Sequence, residues 1–99
     1  MKAVCRGEVI AESLEVIELD GCTYFPPDSV NMSFLRPSEF STFCPSKGHA
    51  SYFDIQIRDL RLERAAFRYP ETPERSRQIQ GWVAFWCRES VEDLEICPS

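Results

Sequence analysis

The chain has no paired cysteines, a single histidine and no long apolar run. Zinc sites normally combine cysteine and histidine ligands at short spacing, as in Cys-x-x-Cys, so we expect neither a metal nor a cofactor. A membrane-spanning helix needs roughly 20 apolar residues, and no segment approaches that length, so we expect no membrane partner. The cysteines stand apart from one another, at Cys5, Cys22, Cys44, Cys87 and Cys97.

The amino-terminal stretch does not have the pattern of a secretory signal. It reads MKAVCRGEVIAESLE, with Arg6, Glu8 and Glu12 where a signal peptide needs an apolar core. Because the number of cysteines is also odd, we expect reduced thiols and a cytoplasmic protein. Acidic residues outnumber basic ones, 16 against 11, and the net charge of −5 argues against binding to nucleic acid.

The residues that are present suit one small domain covering residues 1–99. Apolar residues mostly recur with a period of two, which is typical of strands. Two tight hairpins are predicted at Arg6-Gly7-Glu8 and at Asp20-Gly21, because such turns favour residues that accept positive φ. The predicted strands cover residues 3–5, 9–11, 16–19, 22–25, 32–35, 51–57, 66–69, 82–86 and 91–96.

Proline and glycine mark the other boundaries. One helical turn is predicted at residues 27–30 and a chain reversal at residues 36–39. A helix is predicted from Pro73 to Gln80, with Thr72 as its cap and Gly81 closing it. Many short strands with one short helix predict a mainly β fold, a small antiparallel barrel-like sheet.

The stretch CPSKGHASYF, which begins at residue 44, concentrates the side chains that could carry chemistry. One interpretation is structural: a proline and Gly48 shape a sharp turn, and Cys44 packs beneath it. A second is catalytic, with the Cys44 thiolate activated by Lys47 or by His49. A third is an anion site made by the Lys47 charge and the amides around Gly48.

We favour a binding module for a small anionic ligand at this turn. The predicted ligand-binding residues are Lys47, Gly48, His49 and Tyr52. An enzyme that uses Cys44 or Lys47 as its catalytic residue is the first alternative. A protein–protein interaction module without ligand, which could form a homo-oligomer, is the second.

The same stretch resembles the Cys-Pro-x-Lys-Gly-x-Ala-Ser-Tyr signature of a bacterial family, domain-of-unknown-function family 427, sometimes labelled nucleotidyltransferase-like. The likeness continues through Tyr24–Val30, Ala65–Pro70 and Gly81–Trp86, and so covers nearly the whole chain. The sequence departs from the family pattern at Ser46 and at His49, where tryptophan and threonine are common.

The resemblance implies a small β-rich, barrel-like domain and says little about a reaction. Nucleotidyltransferases hold two divalent metals with closely spaced carboxylates that follow a Gly-Ser pair. Neither Gly-Ser nor Asp-x-Asp occurs in this sequence. The residues therefore give the nucleotidyltransferase label no support.

Overall fold

The structure, a computed structural model, describes residues 1–85 and 94–98. This part of the chain contains nine strands and three short 3₁₀ helices, the latter at Pro27–Ser29, Met32–Phe34 and Glu74–Ile79. The strands are β1 (Lys2–Cys5), β2 (Glu8–Glu12), β3 (Ile17–Leu19), β4 (Cys22–Phe25), β5 (Leu35–Cys44), β6 (Gly48–Ile57), β7 (Leu60–Arg68), β8 (Val83–Phe85) and β9 (Leu94–Cys97). No helix among the described residues is long and apolar enough to cross a membrane.

The strands form two antiparallel sheets. The smaller has the order β2-β1-β9, and the larger has the order β3-β4-β8-β7-β6-β5. The predicted mainly β class is confirmed, but the sheets do not close into a barrel. In the described part of the chain, β3 and β5 remain at opposite edges of the larger sheet. Side chains from the turns beside these edges meet, Asp20 with Lys47, where a barrel would have a backbone ladder.

The two predicted hairpins are confirmed, and their backbone explains why. Arg6 and Gly7 have φ of 50° and 81°, and Asp20 and Gly21 have φ of 53° and 81°. Two successive residues with positive φ are the mark of a type I′ turn, which matches the twist of the strands it joins. The turn between β6 and β7 begins in the same way, with Arg58 at φ 51°.

The main core lies between the two sheets. Phe53, Ile55 and Ile57 of β6 all contribute to it, which confirms that they share a buried face. Phe25 and Phe85 meet edge to face there, with ring centroids 5.7 Å apart. Burial of each such side chain contributes about 1.5–3 kcal/mol, and this core therefore holds the sheets in their relative positions.

The prediction for residues 32–39 is wrong. Residues 32–34 form a 3₁₀ helix instead of a strand, and β5 continues through Pro37 where a chain reversal was expected. Proline cannot donate to a ladder, but β5 is an edge strand, where a missing donor is tolerated. The pairing with β6 shifts register between Pro37 and Ser41, which accommodates the proline.

The predicted helix is present as a 3₁₀ helix over Glu74–Ile79, one residue shorter at each end than expected. Thr72 does not cap it. Pro73 precedes the helix, and both the backbone N–H and the hydroxyl of Thr72 donate to Gln80 Oε1, at 3.2 Å and 3.4 Å. Gly81 closes the segment at φ 79°, as predicted, and donates its N–H to the Tyr69 carbonyl at 2.9 Å. The helix therefore lies within a short loop between β7 and β8, and the hydrogen bond from Gly81 to Tyr69 closes this loop.

Of each of the last two predicted strands, only a part lies among the described residues. β8 covers residues 83–85 of the predicted strand 82–86 and is fully buried between β4 and β7, whereas Trp82 precedes the strand and Trp86 lies outside the described residues. The predicted last strand is seen as β9 at an edge of the smaller sheet. Residues 91–93 of that prediction also lie outside the described residues.

Candidate functional site

A cleft of about 510 Å³ lies on the face of the larger sheet that points away from the main core. Because side chains alternate along a strand, Tyr24 on β4, Tyr52 on β6 and Phe67 on β7 project from this face. Their chain neighbours Phe25 and Phe53 project from the other face into the core. The alternation of β-strands therefore places an aromatic surface opposite the main core.

All three tyrosines of the chain line this cleft, at Tyr24, Tyr52 and Tyr69. Tyr24 is only 2% exposed and Tyr69 only 8%. Neither hydroxyl has a hydrogen-bond partner among the described residues, whereas the Tyr52 hydroxyl lies 3.2 Å from Thr42 Oγ1. Burial raises the pKa of Tyr24 and of Tyr69, so both phenols stay protonated near neutral pH. Two protonated O–H groups that line the cleft are thus available to a guest.

An ion pair joins the two sides of the cleft. The Lys47 ammonium donates to Asp20 Oδ2, and the two residues come from the turns after β5 and after β3. The Lys47 side chain is 11% exposed, whereas that of Asp20 is 59% exposed. The hydrogen bond with Asp20 raises the pKa of Lys47, so the buried ammonium remains charged at neutral pH. The cation is therefore fixed, and its carboxylate partner is open to solvent.

The turn that carries Lys47 is held from below by the last 3₁₀ helix. The Ser76 hydroxyl donates to the Ser46 carbonyl at 2.6 Å, and Ser76 itself is buried. Arg75 Nη2 also reaches the Pro45 carbonyl, at 3.3 Å. These contacts bridge 30 residues of sequence. They fix the turn against the sheet, so the lysine is positioned by the scaffold.

Gly48 at the end of this turn has a steric role. Its φ is 98°, a conformation that residues with a side chain rarely adopt. A Cβ at this position would lie 2.7 Å from the backbone carbonyl oxygen of Glu71. The glycine therefore allows the turn to press against the segment that follows β7.

The thiol of Cys44 is one of two thiols that line the cleft. Its Sγ lies 3.2 Å from the Ser46 hydroxyl, and the side chain is half-buried at the end of β5. The Ser46 hydroxyl, and to a smaller extent the Lys47 charge, lowers the pKa of this thiol. Cys22 of β4 also lines the cleft. Hydrogen bonding to the charged form is a known way to activate a thiolate.

Removal of the Ser46 hydroxyl is expected to slow alkylation of Cys44. At pH 7 the Ser46→Ala variant should react with iodoacetamide about 3- to 10-fold more slowly than the wild type, because the thiolate loses its donor. The rate is measured against pH, with the Cys44 peptide quantified by mass spectrometry. Ser41→Ala is the matched control, because Ser41 is an exposed serine on β5, the strand that ends at Cys44. Equal rates in all three proteins across the pH range would contradict this role of Ser46.

The structure brings together three of the residues predicted for the site: Cys44, Lys47 and Tyr52. Gly48 and His49 do not line this cleft. They border a smaller depression of about 280 Å³ beside Pro70. The His49 side chain is exposed, and its ring packs on Phe43 with centroids 4.8 Å apart.

Among the described residues, no carboxylate is seen to orient a Cys44–His49 dyad. Asp54, the first carboxylate after His49 in the sequence, is engaged elsewhere. Its Oδ2 accepts from Arg61 at 2.6 Å and 3.0 Å, and its Oδ1 accepts the Arg64 backbone N–H at 2.9 Å. The thiol chemistry that the geometry supports therefore involves Ser46 and Lys47.

Sequence reasoning missed Asp20, Cys22, Tyr24, Phe67 and Tyr69 as members of the site. The alternation rule could have found Tyr24, because it shares a face with Cys22 in a strongly predicted hairpin. The same rule places Phe67 and Tyr69 on one face of β7 and its extension. What no local pattern gives is the order of the strands, which brings these two faces together.

Comparison with known proteins identifies a family but no activity. No curated protein matches this chain. The family described as domain of unknown function DUF427 matches residues 1–96, which is nearly the whole chain. The family expected from the turn signature and its flanking segments is thereby confirmed. The chain belongs to the DUF427 family.

Proposed function

We propose that this protein binds a small anionic ligand in the cleft beside the Cys44–Tyr52 turn. The observation that carries the proposal is a buried ammonium, Lys47, whose carboxylate partner Asp20 is mostly exposed to solvent. A buried charge needs a partner, and an exposed side chain is a partner that can be exchanged. A cytoplasmic location belongs to the same proposal, because Cys44 is a free thiol.

The protonation states in the cleft favour a guest that accepts hydrogen bonds. Tyr24 and Tyr69 remain protonated and Lys47 remains charged near neutral pH, so all three can donate. Anions accept hydrogen bonds from such groups more strongly than neutral molecules do. The negative net charge of the chain does not oppose this, because short-range donors decide binding inside a partly enclosed cleft.

The Asp20 carboxylate marks the position that a ligand's anionic group would take. It contacts Lys47 from a turn at the edge of the sheet, and 59% of its surface is exposed. A ligand anion that takes the place of Asp20 keeps a negative partner on the buried ammonium, so the exchange does not leave that charge unpaired. The size of the cleft is also suitable, since about 510 Å³ lies within the range of small-molecule sites.

Titration with anions tests the proposal. We expect acetate and inorganic phosphate, added to ¹⁵N-labelled protein, to shift backbone amide signals around Asp20, Lys47 and Tyr69. Lys47→Met should weaken anion binding about tenfold or more, because it removes the charge. Asp20→Asn should strengthen it, because it removes the competing carboxylate. Lys2→Met, which replaces the other lysine of the chain, is the matched control.

The proposal fails on either of two results. One is that no amide of the cleft responds to either anion, in the wild type or in Asp20→Asn. The other is that Lys47→Met binds as well as Lys2→Met does. Thermal unfolding of each variant shows whether a loss of binding reflects a loss of fold.

An enzyme that uses the Cys44 thiol is the second candidate, favoured by the hydroxyl of Ser46 at 3.2 Å from Cys44 Sγ. The two candidates share the cleft and differ in what the thiol contributes. Cys44→Ser should leave anion binding within about twofold of wild type if the protein is a binding module. Thiol chemistry would not survive that replacement.

A further inference from the structure

We infer that the ligand of the cleft is a small aromatic monocarboxylate. This inference rests on the proposed function and specifies the chemical class of the ligand. It combines three observations about the described residues: the charge balance of the cleft, the chemistry of the group that now faces Lys47, and the aromatic residues that form the walls.

The charge balance indicates a single negative charge on the ligand. Among the described residues that line the cleft, Lys47 is the one cation and Asp20 the one carboxylate. If a guest replaces Asp20 at Lys47, one negative charge neutralises the ammonium. A dianion such as a phosphate monoester would bring a second charge into a partly enclosed site without a second cation to pair with it.

The group now bound to Lys47 is itself a carboxylate. Asp20 places one oxygen, Oδ2, on the ammonium, and its side chain is 59% exposed. A lysine ammonium binds as a compact point charge and sets no forked geometry. A single carboxylate oxygen therefore satisfies the contact, as it does in the present structure.

The walls indicate an aromatic body. Phe67 lies at the centre of the aromatic group, edge to face with Tyr24 at 6.2 Å and with Tyr69 at 6.1 Å. Its ring is tilted by 33° to that of Tyr52, with centroids 5.5 Å apart. Rings prefer offset and edge-to-face partners, and a planar ring in the cleft continues an arrangement that is already present. Tyr52 is only half-buried, so its ring offers surface to a guest.

The test compares four probes on the full chain: benzoate, benzamide, acetate and phenyl phosphate. Dissociation constants are measured by ¹⁵N amide shifts, with Asp20→Asn used to raise affinity. We expect benzoate to bind about tenfold or more tightly than benzamide, which lacks the charge, and than acetate, which lacks the ring. Phenyl phosphate should bind more weakly than benzoate. Tyr52→Leu should weaken benzoate by a larger factor than it weakens acetate, because it removes the ring and not the cation.

The outcomes separate this inference from the proposed function. If phenyl phosphate or acetate binds as tightly as benzoate, and Lys47→Met abolishes that binding, anion binding stands and the aromatic monocarboxylate is wrong. If benzamide equals benzoate, charge recognition fails and both ideas fall. If no probe shifts the amides of the cleft even in Asp20→Asn, both ideas also fall.

Discussion

Replacement of Gly48 by alanine is expected to lower the free energy of unfolding by about 2–4 kcal/mol. Two costs combine at this position. The backbone φ of 98° is strained for any residue with a Cβ, and the new Cβ would lie 2.7 Å from the Glu71 carbonyl oxygen. The obstructing atom belongs to the backbone, so the clash can be relieved only by moving the turn away from residues 71–73.

Gly7→Ala is the matched control for this prediction. Gly7 also has positive φ, 81°, but nothing lies within 4 Å of the Cβ that alanine would add. It should therefore show only the conformational cost, about 1 kcal/mol. Urea unfolding of both variants gives the comparison. If Gly48→Ala is no more destabilising than Gly7→Ala, the close approach of the turn to Glu71 does not constrain the fold.

Asp54→Asn is expected to lower the free energy of unfolding by about 2–4 kcal/mol at neutral pH. Asp54 is 5% exposed and sits where the pairing of β6 with β7 shifts register. Its carboxylate accepts the backbone N–H of Arg64, which has φ of 56°, and two donors of Arg61. Removing the charge leaves these donors poorly matched at a bulge that depends on them.

Asp54 also makes the free energy of unfolding depend on pH. The Arg64 backbone N–H first, and the Arg61 side chain next among the favourable contacts, lower the pKa of Asp54. A lowered pKa in the folded state means that the contribution is present above the unfolded value of about 3.9 and disappears as pH falls through the folded value. The gap between wild type and Asp54→Asn should therefore close in strong acid.

Urea midpoints from pH 7 down to about pH 2 measure this gap. Asp59→Asn serves as the control, because Asp59 is an exposed carboxylate in the turn between the same two strands. It should change stability by no more than about 0.5 kcal/mol at any pH. A gap for Asp54→Asn that stays constant with pH would show that the asparagine acts through its shape and not through the lost charge.

The fold could be predicted wherever neighbouring residues alone determine the backbone conformation. The turns at Arg6-Gly7 and Asp20-Gly21 need positive φ at both positions, and few sequences supply it, so these hairpins are visible in the sequence. The alternation from Phe53 to Ile57 is equally clear, because one face meets the main core. Such signals depend only on residues close together in the chain.

The errors at residues 32–39 and at Thr72 have one physical cause. Proline and small polar residues permit several local structures, and tertiary contacts choose among them. Pro37 interrupts a central strand but not an edge strand, and nothing local shows that β5 is an edge. Thr72 could cap a helix in isolation, yet its N–H finds Gln80 because the loop closes back on itself at Gly81.

Only those residues of the site that lie close together in the sequence could be predicted. Cys44, Lys47 and Tyr52 lie within nine residues of one another, so their proximity follows from one turn and one strand. Asp20 and Tyr24 come from the opposite side of the sheet. Their approach requires that the larger sheet curl and that β8 separate β4 from β7, which the sequence does not state.

The late position of β8 in the chain has a consequence for synthesis on the ribosome. Ala84 of β8 pairs with Tyr24 on one side and with Phe67 on the other, and Lys2 of β1 pairs with Cys97 of β9. Neither sheet can be completed while those last strands are still being translated. Until β8 has been synthesised, the edges of β4 and β7 that face it have no partner strand. Unpaired strand edges form hydrogen bonds with other chains and promote aggregation.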